Sequence, residues 1–478
     1  MAEANAVKSI QALQGVRLAG TPPDSLWNLS IQHPEEESPK GVIASITPYS
    51  RPDINENSAP ASYPLVLPAL THPHIHLDKA FVHGAPEYAD LLPSTGSFQE
   101  ALSYTSQAKA RFTTPDLLRR GGWLIAESVA SGVTAMRAFV EVDNAVELTC
   151  LEAGIKLKKT WKESCYVQLV CFAQDPLFSG PHGDENRHLM ETAIRKTEVE
   201  VIGATPYVEA TTADAKRNIE WAIDRAIELG KHVDFHLDYN LDAGKEALVW
   251  HVVSTLHAKG WTTKAPGKRI MLGHCTRLTL FSNEEWNRLA SQIREYGLPI
   301  SFVGLPTSDT YMASPPAASD NPPQVRQRGT LHVPDMIRKY GLDAVVGVNN
   351  VGNAFTPWGA PDPLSLACLG VGIYQKGTQT DAELLYECVS IRARAAIGLG
   401  GPSSGLSLRE GQDADLLIIY NVDETGLGTP RTRRTVAEVV WDPPGRISRD
   451  VTYAGQLAMK PFAAERVASS PGTTVVLV

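Results

Sequence analysis

The chain has 478 residues and a formal net charge of -9, with 43% hydrophobic and 20% charged residues. This length suits one large domain plus a smaller one, with apolar content sufficient for a full core. The acidic balance and the lack of a basic patch exclude an obvious nucleic-acid or anionic-membrane partner, and no apolar run reaches the length of a membrane span.

The N-terminal residues, Met1 to Lys8, lack the charged-then-apolar layout of a signal peptide. The six cysteines are scattered, with no C-x-x-C pair. Together these features read as a reduced, cytoplasmic protein. Residues 1–62 carry short alternating runs at 16–19, 26–32 and 41–48, rich in turn residues. They are too few to bury much alone and read as the N-terminal part of a β-sandwich.

From 63 to 400 the pattern changes. Apolar runs at 64–70, 132–139, 166–172, 199–204, 232–235, 269–272, 299–303 and 344–348 read as strands. Amphipathic stretches at 115–130, 143–162, 212–230, 243–258, 283–297 and 333–341 separate them. Eight strands alternating with helices predict an α/β fold, a (β/α)8 TIM-type barrel. Such barrels carry active groups at the C-terminal ends of their strands. Two turn-rich stretches, 177–186 and 304–327, read as long loops, and the second, after strand seven, reads equally as a cover for the site or as a surface insertion. Residues 401–478 hold strand-like runs at 413–420, 436–441 and 451–454. They read as the C-terminal part of the same sandwich, so both chain ends build one composite domain.

Histidines gather at the predicted strand ends. His74 and His76 form a His-x-His pair after the first run; His236 ends the fifth and His274 the sixth. Side chains two apart on an extended backbone point the same way, and neutral imidazole is a common ligand for zinc or iron. The plainer alternative for each is a core histidine with a satisfied hydrogen bond. Asn349 ends the eighth run, where a ligand or a neighbour of one is equally expected. Asp238, two beyond His236, is the best-placed carboxylate; Glu141 and Glu209 are weaker candidates, and Asp78 either orients a histidine or pairs with Lys79, the structural role being favoured. Trp358 and Phe355 are placed to stack on a planar substrate or to pack in the core. His72, His83, His182 and His332 read as loop or surface residues, and Cys275 as a packing residue.

At these positions the chain resembles the amidohydrolase superfamily, within it the cytosine-deaminase-like branch. The carrying motifs are Leu67-Pro-Ala-Leu-Thr-His-Pro-His-Ile-His-Leu-Asp-Lys79, Arg137-Ala-Phe-Val-Glu-Val-Asp143, Val167-Gln-Leu-Val-Cys-Phe-Ala-Gln174, Asp234-Phe-His-Leu-Asp238, Gly273-His-Cys275 and Asn350-Val-Gly-Asn-Ala-Phe-Thr-Pro-Trp-Gly359. The resemblance implies a barrel holding one or two divalent metals. It makes His74, His76 and His236 metal ligands, and His274 a residue near the metal that orients water. It makes Gln174 a substrate contact. No bridging group stands at the end of strand four, so one ion, zinc or iron, is implied. A small-molecule substrate is implied too, and barrels of this kind often associate, so a homo-oligomer is an expectation.

Three positions depart from the family pattern. Asn349 replaces an aspartate that binds metal and takes a proton from water. An amide oxygen still ligates but does not serve as a general base. Tyr239 replaces a glutamate that shuttles protons, and a phenol with a pKa near ~10 shuttles poorly. Phe139 replaces a histidine on the second strand. The expected function is metal-dependent hydrolysis of a non-peptide C–N bond in a cyclic amide, amidine or heterocycle, with Asp238, Tyr239, His274 and Asn349 around the chemistry and Gln174, Phe139 and Trp358 around the substrate. The alternatives are a repurposed metal-dependent oxygenase, lyase or cyclase, or a non-catalytic binder.

Overall fold

The computed structural model describes residues 9–33, 41–50, 63–313, 329–400, 405–458 and 475–477. The chain begins with three strands, β1 (Ile10–Leu18), β2 (Trp27–Gln32) and β3 (Val42–Pro48), which pair antiparallel in sequence order. β4 (Leu65–Pro68) then runs parallel to β1. Eight further strands follow: β5 (Leu70–His76), β6 (Val133–Glu141), β7 (Tyr166–Ala173), β8 (Val199–Ala204), β9 (His232–Leu237), β10 (Ile270–His274), β11 (Ile300–Gly304) and β12 (Ala344–Val346). Each is parallel to the next in sequence order. A parallel bridge between Ile75 and Asn349 brings the last strand back to the first, so the sheet rolls into the expected (β/α)8 barrel. The chain ends with β13 (Leu416–Ile419), β14 (Arg449–Tyr453), β15 (Gln456–Leu457) and β16 (Val475–Leu477), which join β4 and β1 in the smaller sheet.

Two sequence expectations need correction. The run 64–70 is not the first barrel strand. Its residues 65–68 pair with β13 and β1 in the smaller sheet, and the barrel strand starts at Leu70. The run 436–441 is not a strand but a helix, Val436–Trp441. The Thr435 side chain accepts from the Glu438 amide and the Glu438 side chain accepts from the Thr435 amide, a capping box. Most of the stretch 304–327 lies outside the described residues; its first part forms the helix Pro306–Met312.

The main core fills the space between the barrel and its surrounding helices, and a second cluster fills the smaller sheet. The barrel strands are buried along nearly their whole length, as expected where helices cover a parallel sheet. No helix among the described residues is long and apolar enough to cross a membrane.

Candidate metal centre and catalytic cavity

β5 carries three histidines at alternate positions, yet only two share a site. The ladder to β6 shifts register between His72 and Ile75. His72 bonds through Nε2 to Ser128 on the helix Thr114–Ser131, 3.1 Å away. His74 and His76 meet His236 from β9 instead. The His236 Nε2 lies 3.2 Å from that of His74 and 3.1 Å from that of His76. Gly273, beside His236 on the neighbouring strand, makes room: a Cβ there would sit 3.3 Å from the His74 ring.

These three residues form a group able to hold a metal ion. A tetrahedral ion with N ligands at about 2.0–2.1 Å sets those nitrogens about 3.4 Å apart, close to the spacing here. The protonation arithmetic agrees. The His236 Nε2 faces two other ring nitrogens, and a neutral imidazole has one proton to place. A cation accepting three lone pairs satisfies all three rings at once. Burial holds each imidazole well below the ordinary histidine range, in the neutral form that ligates. Behind His74, Asp234 has one oxygen 3.9 Å from Nδ1, while its other oxygen accepts from Arg137 at 3.0 Å. Burial raises the Asp234 carboxyl to about 7.

Backbone strain concentrates at the same strand ends. Asp238, His274, Cys275 and Asn349 are four of the eight non-glycine residues with positive φ among the described residues. Such conformations persist where surroundings over-determine them, and they cluster at active sites. His274 stands beside the triad, its ring centroid 5.2 Å from that of His236. Its Nδ1 lies 2.8 Å from the Asp309 carboxylate. Asp309 also accepts from the Leu305 amide and the Thr330 hydroxyl, so its position is fixed from three sides. Burial raises the Asp309 carboxyl, and the bond to His274 pulls it back.

Asn349 donates its amide to Ser308 Oγ at 2.8 Å, leaving its carbonyl oxygen buried without a partner. Its backbone joins β5: the His76 amide donates to the Asn349 carbonyl, and the Asn349 amide donates to that of His74. One residue therefore closes the barrel and lines the site. The cavity over the histidines is narrow, with about 20 Å³ of free space, room for about one water. Phe98, Phe355, Tyr207 and Tyr239 form its aromatic walls, with the Tyr239 ring tilted 35° against that of His274 and the centroids 4.1 Å apart. Lys79 enters from one side, donating to Gln174 Oε1 at 3.0 Å.

The model of the Amidohydrolase family matches residues 65–442. The chain belongs to that family. Among solved structures, 5-methylcytosine deaminase from Klebsiella pneumoniae liganded with 5-fluorocytosine is similar at a TM-score of 0.75 and 21% identity, over 94% of this chain and 97% of that one. N-isopropylammelide isopropylaminohydrolase from Burkholderia multivorans ATCC 17616 gives 0.65 and 20%, over 94% and 98%. Guanine deaminase from C. acetobutylicum with bound guanine gives 0.58 and 15%, over 94% and 99%. Comparison with curated protein sequences yields no match.

The structure sorts the residues singled out from sequence. His76, His236, His274, Asn349, Gln174 and Tyr239 all line the cavity. His74 is fully buried against His236 and does not itself line the cavity. Others turn away. The Asp238 carboxylate accepts from the Leu248 and Val249 amides at 2.8 and 3.1 Å, capping the helix Val249–Lys259. It is not free for a proton transfer at the histidines, although burial raises it to about 6. Phe139 packs beneath His74 and His76, with centroids at 4.1 and 5.0 Å, and does not line the cavity. Trp358 borders a separate cleft of about 320 Å³. Asp78 accepts from the Glu141 amide; it is Glu141 that pairs with Lys79, at 2.5 Å. Glu209 is spent on the Leu177 and Phe178 amides. His72, expected in a loop, is buried in β5. Sequence reasoning missed Asp309 and Lys79. Asp309 lies in a stretch read as loop, and no spacing rule links it to His274. Lys79, three residues after His76, was visible but read only as a partner for Asp78.

Proposed function

We propose that this family member is a metal-dependent hydrolase cleaving a C–N bond, by deamination or ring opening, in a heterocyclic small molecule or related cyclic amide or amidine. The observation that carries the reading is the meeting of three imidazole Nε2 atoms beside a His274–Asp309 pair in one aromatic cavity. The named activities of similar structures, deaminases and an aminohydrolase of nitrogen heterocycles, support it.

A divalent ion, zinc or iron, held by His74, His76 and His236 supplies Lewis acidity at the reacting carbon and eases deprotonation of water. The chain's own groups do the rest. His274 keeps its Nδ1 proton on Asp309, so Nε2 takes the proton from the attacking water. The same proton then passes to the leaving nitrogen as the C–N bond breaks. Asn349 offers its unpartnered carbonyl oxygen as a ligand or as an acceptor that orients water. Burial holds the Tyr239 phenol protonated, as a donor rather than a base. Gln174 and Lys79 hold the polar edge of the substrate; because the cavity as it stands admits about one water, a ring enters only as the aromatic walls Phe98, Phe355 and Tyr239 move apart to take its faces.

The test is a screen of metal-loaded protein against pyrimidines, triazines, hydantoins and lactams. Release of ammonia or amine, or ring opening, is expected for at least one class, lost on chelation and regained with added zinc or iron. Fully loaded protein that cleaves no C–N bond in any class contradicts the reading.

A further inference from the structure

Among the described residues, Lys79 is the one charged side chain on the cavity wall, and none of the lining side chains is a carboxylate. Among the described residues, the lining consists of histidines, aromatics, amides, one serine and this lysine. The two places where the family resemblance leads one to expect an acid hold Asn349 and Tyr239. Asp309 lies behind His274, and Asp238 is turned onto a helix. Glu141 does neutralise part of the Lys79 charge, at 2.5 Å, but it does not line the cavity. Glu141 is also shared with Lys109 at 2.7 Å, and Lys109 contacts Asp143 and Asp175 as well. The ammonium is thus anchored from behind and faces the cavity in front.

The amide of Gln174 adds a second cue. A lysine ammonium has donors and no acceptor, so Gln174 must turn its carbonyl oxygen to Lys79. The Gln174 N–H2 group then donates one N–H to the Tyr207 hydroxyl and keeps the other for the cavity. The metal-ligating histidines are neutral, so an ion they held would keep its full positive charge. The groups that reach the cavity surface on this side, the Lys79 ammonium and a Gln174 N–H, therefore favour an acceptor carrying negative charge, while the carboxylates that offset them lie behind the wall.

We propose that the cavity selects planar rings bearing an anionic oxygen, such as ring carboxylates, over their neutral counterparts, and that Lys79 sets this preference together with the Gln174 amide it orients. The proposal rests on the hydrolase reading only in taking this cavity as the substrate site. Lys79 is a specificity-determining residue in this scheme and takes no part in bond breaking.

Isosteric pairs test it directly: orotate against orotamide, and nicotinate against nicotinamide, with binding measured by calorimetry near neutral pH. Both zinc-loaded and chelator-treated protein are used, so the contribution of the chain is read without turnover. At least one anion is expected to bind ten-fold or more tighter than its amide to both forms. Lys79→Gln should bring the pair to within about three-fold. Because Lys79 is buried against Glu141, Gln174→Glu serves as a second variant: it places a carboxylate on the wall, keeps the lysine paired, and should also abolish the preference. Equal or tighter binding of the amides, no saturable binding of either anion, or a preference that survives both substitutions overturns the proposal. An anion preference without any C–N cleavage would sink the hydrolase reading and leave this one standing; cleavage of neutral rings alone would do the reverse.

Discussion

Asn349 gives its amide proton to Ser308, whose hydroxyl meets Thr356 at 2.6 Å. A hydroxyl rotates, so Ser308 donates equally well to a carboxylate, and Asn349→Asp fits without displacing a neighbour. The substitution adds a negative charge to a site whose base is His274. Metal affinity should rise. Turnover should fall about ten-fold or more, since a like charge several Å from an anionic substrate costs about 2 kcal/mol at an effective dielectric near 20. Steady-state kinetics on zinc-titrated protein checks this; a gain of about 10²–10⁴-fold, the usual worth of a general base, would mean that Asn349 marks a missing base and His274 does not supply it. Asp309→Asn is the companion experiment. It removes the acceptor that fixes the His274 tautomer, and kcat should drop about 10²–10⁴-fold with metal content unchanged. An unaffected kcat would remove His274–Asp309 from the proton path. At this scale the sequence was readable where a residue type announces its chemistry. His74, His76, His236 and His274 stood at strand ends, and Gln174 stood in a motif. Where one side chain acts through another from a distant segment, as Asp309 does over 35 residues, nothing local marks it. Asp238 misled for the converse reason. Spacing put it on the site's strand, but left-handed φ turns its backbone and helix amides claim its oxygens.

Elements were legible as far as periodicity separates them. The barrel strands β6 to β11 fall where apolar runs predict, with ends shifted by a residue or two. The two larger misses have separate physical causes. A continuous apolar run, Leu65 to Leu70, hides a change of sheet, because both sheets bury both faces of it. The segment Val436–Trp441 is rich in β-branched valine and suggests a strand, while the Thr435…Glu438 pair specifies a helix start. That cap can be measured. Thr435→Ala should cost about 1 kcal/mol, read as a lower urea midpoint with unchanged slope. No loss would mean that tertiary packing alone holds the helix.

For the whole molecule, buried histidines shape the response to acid. Burial lowers His72 and His232 to about 3 in the folded protein, against 6.5 for an exposed imidazole. Between those values the unfolded chain binds protons that the folded chain refuses, so stability falls as pH falls below about 6.5. Asp234 and Asp238, raised to about 7 and 6, act in the opposite sense: the folded state keeps protons that unfolded carboxyls release above about pH 4. A difference measurement isolates one group. His72→Gln keeps a donor for Ser128 but does not titrate. Relative to this variant, the natural protein should lose about 1.4 kcal/mol per pH unit between pH 6 and 4. Parallel stability curves would show that His72 takes up a proton while folded. The architecture itself was legible because seven apolar runs fell on barrel strands and four strand-end histidines agreed with them independently. The cavity's charge was not, because it depends on which way carboxylates turn after folding.

In the proposed reading, His74, His76 and His236 hold one ion that C–N hydrolysis requires. The most direct measurement titrates chelator-stripped protein with zinc while following amine release or ring opening on the best substrate found. Activity should rise linearly and level off at one ion per chain, and His236→Ala should show neither tight binding nor activity. Full activity in the stripped protein, or a filled site in the natural protein with no C–N cleavage, would contradict it.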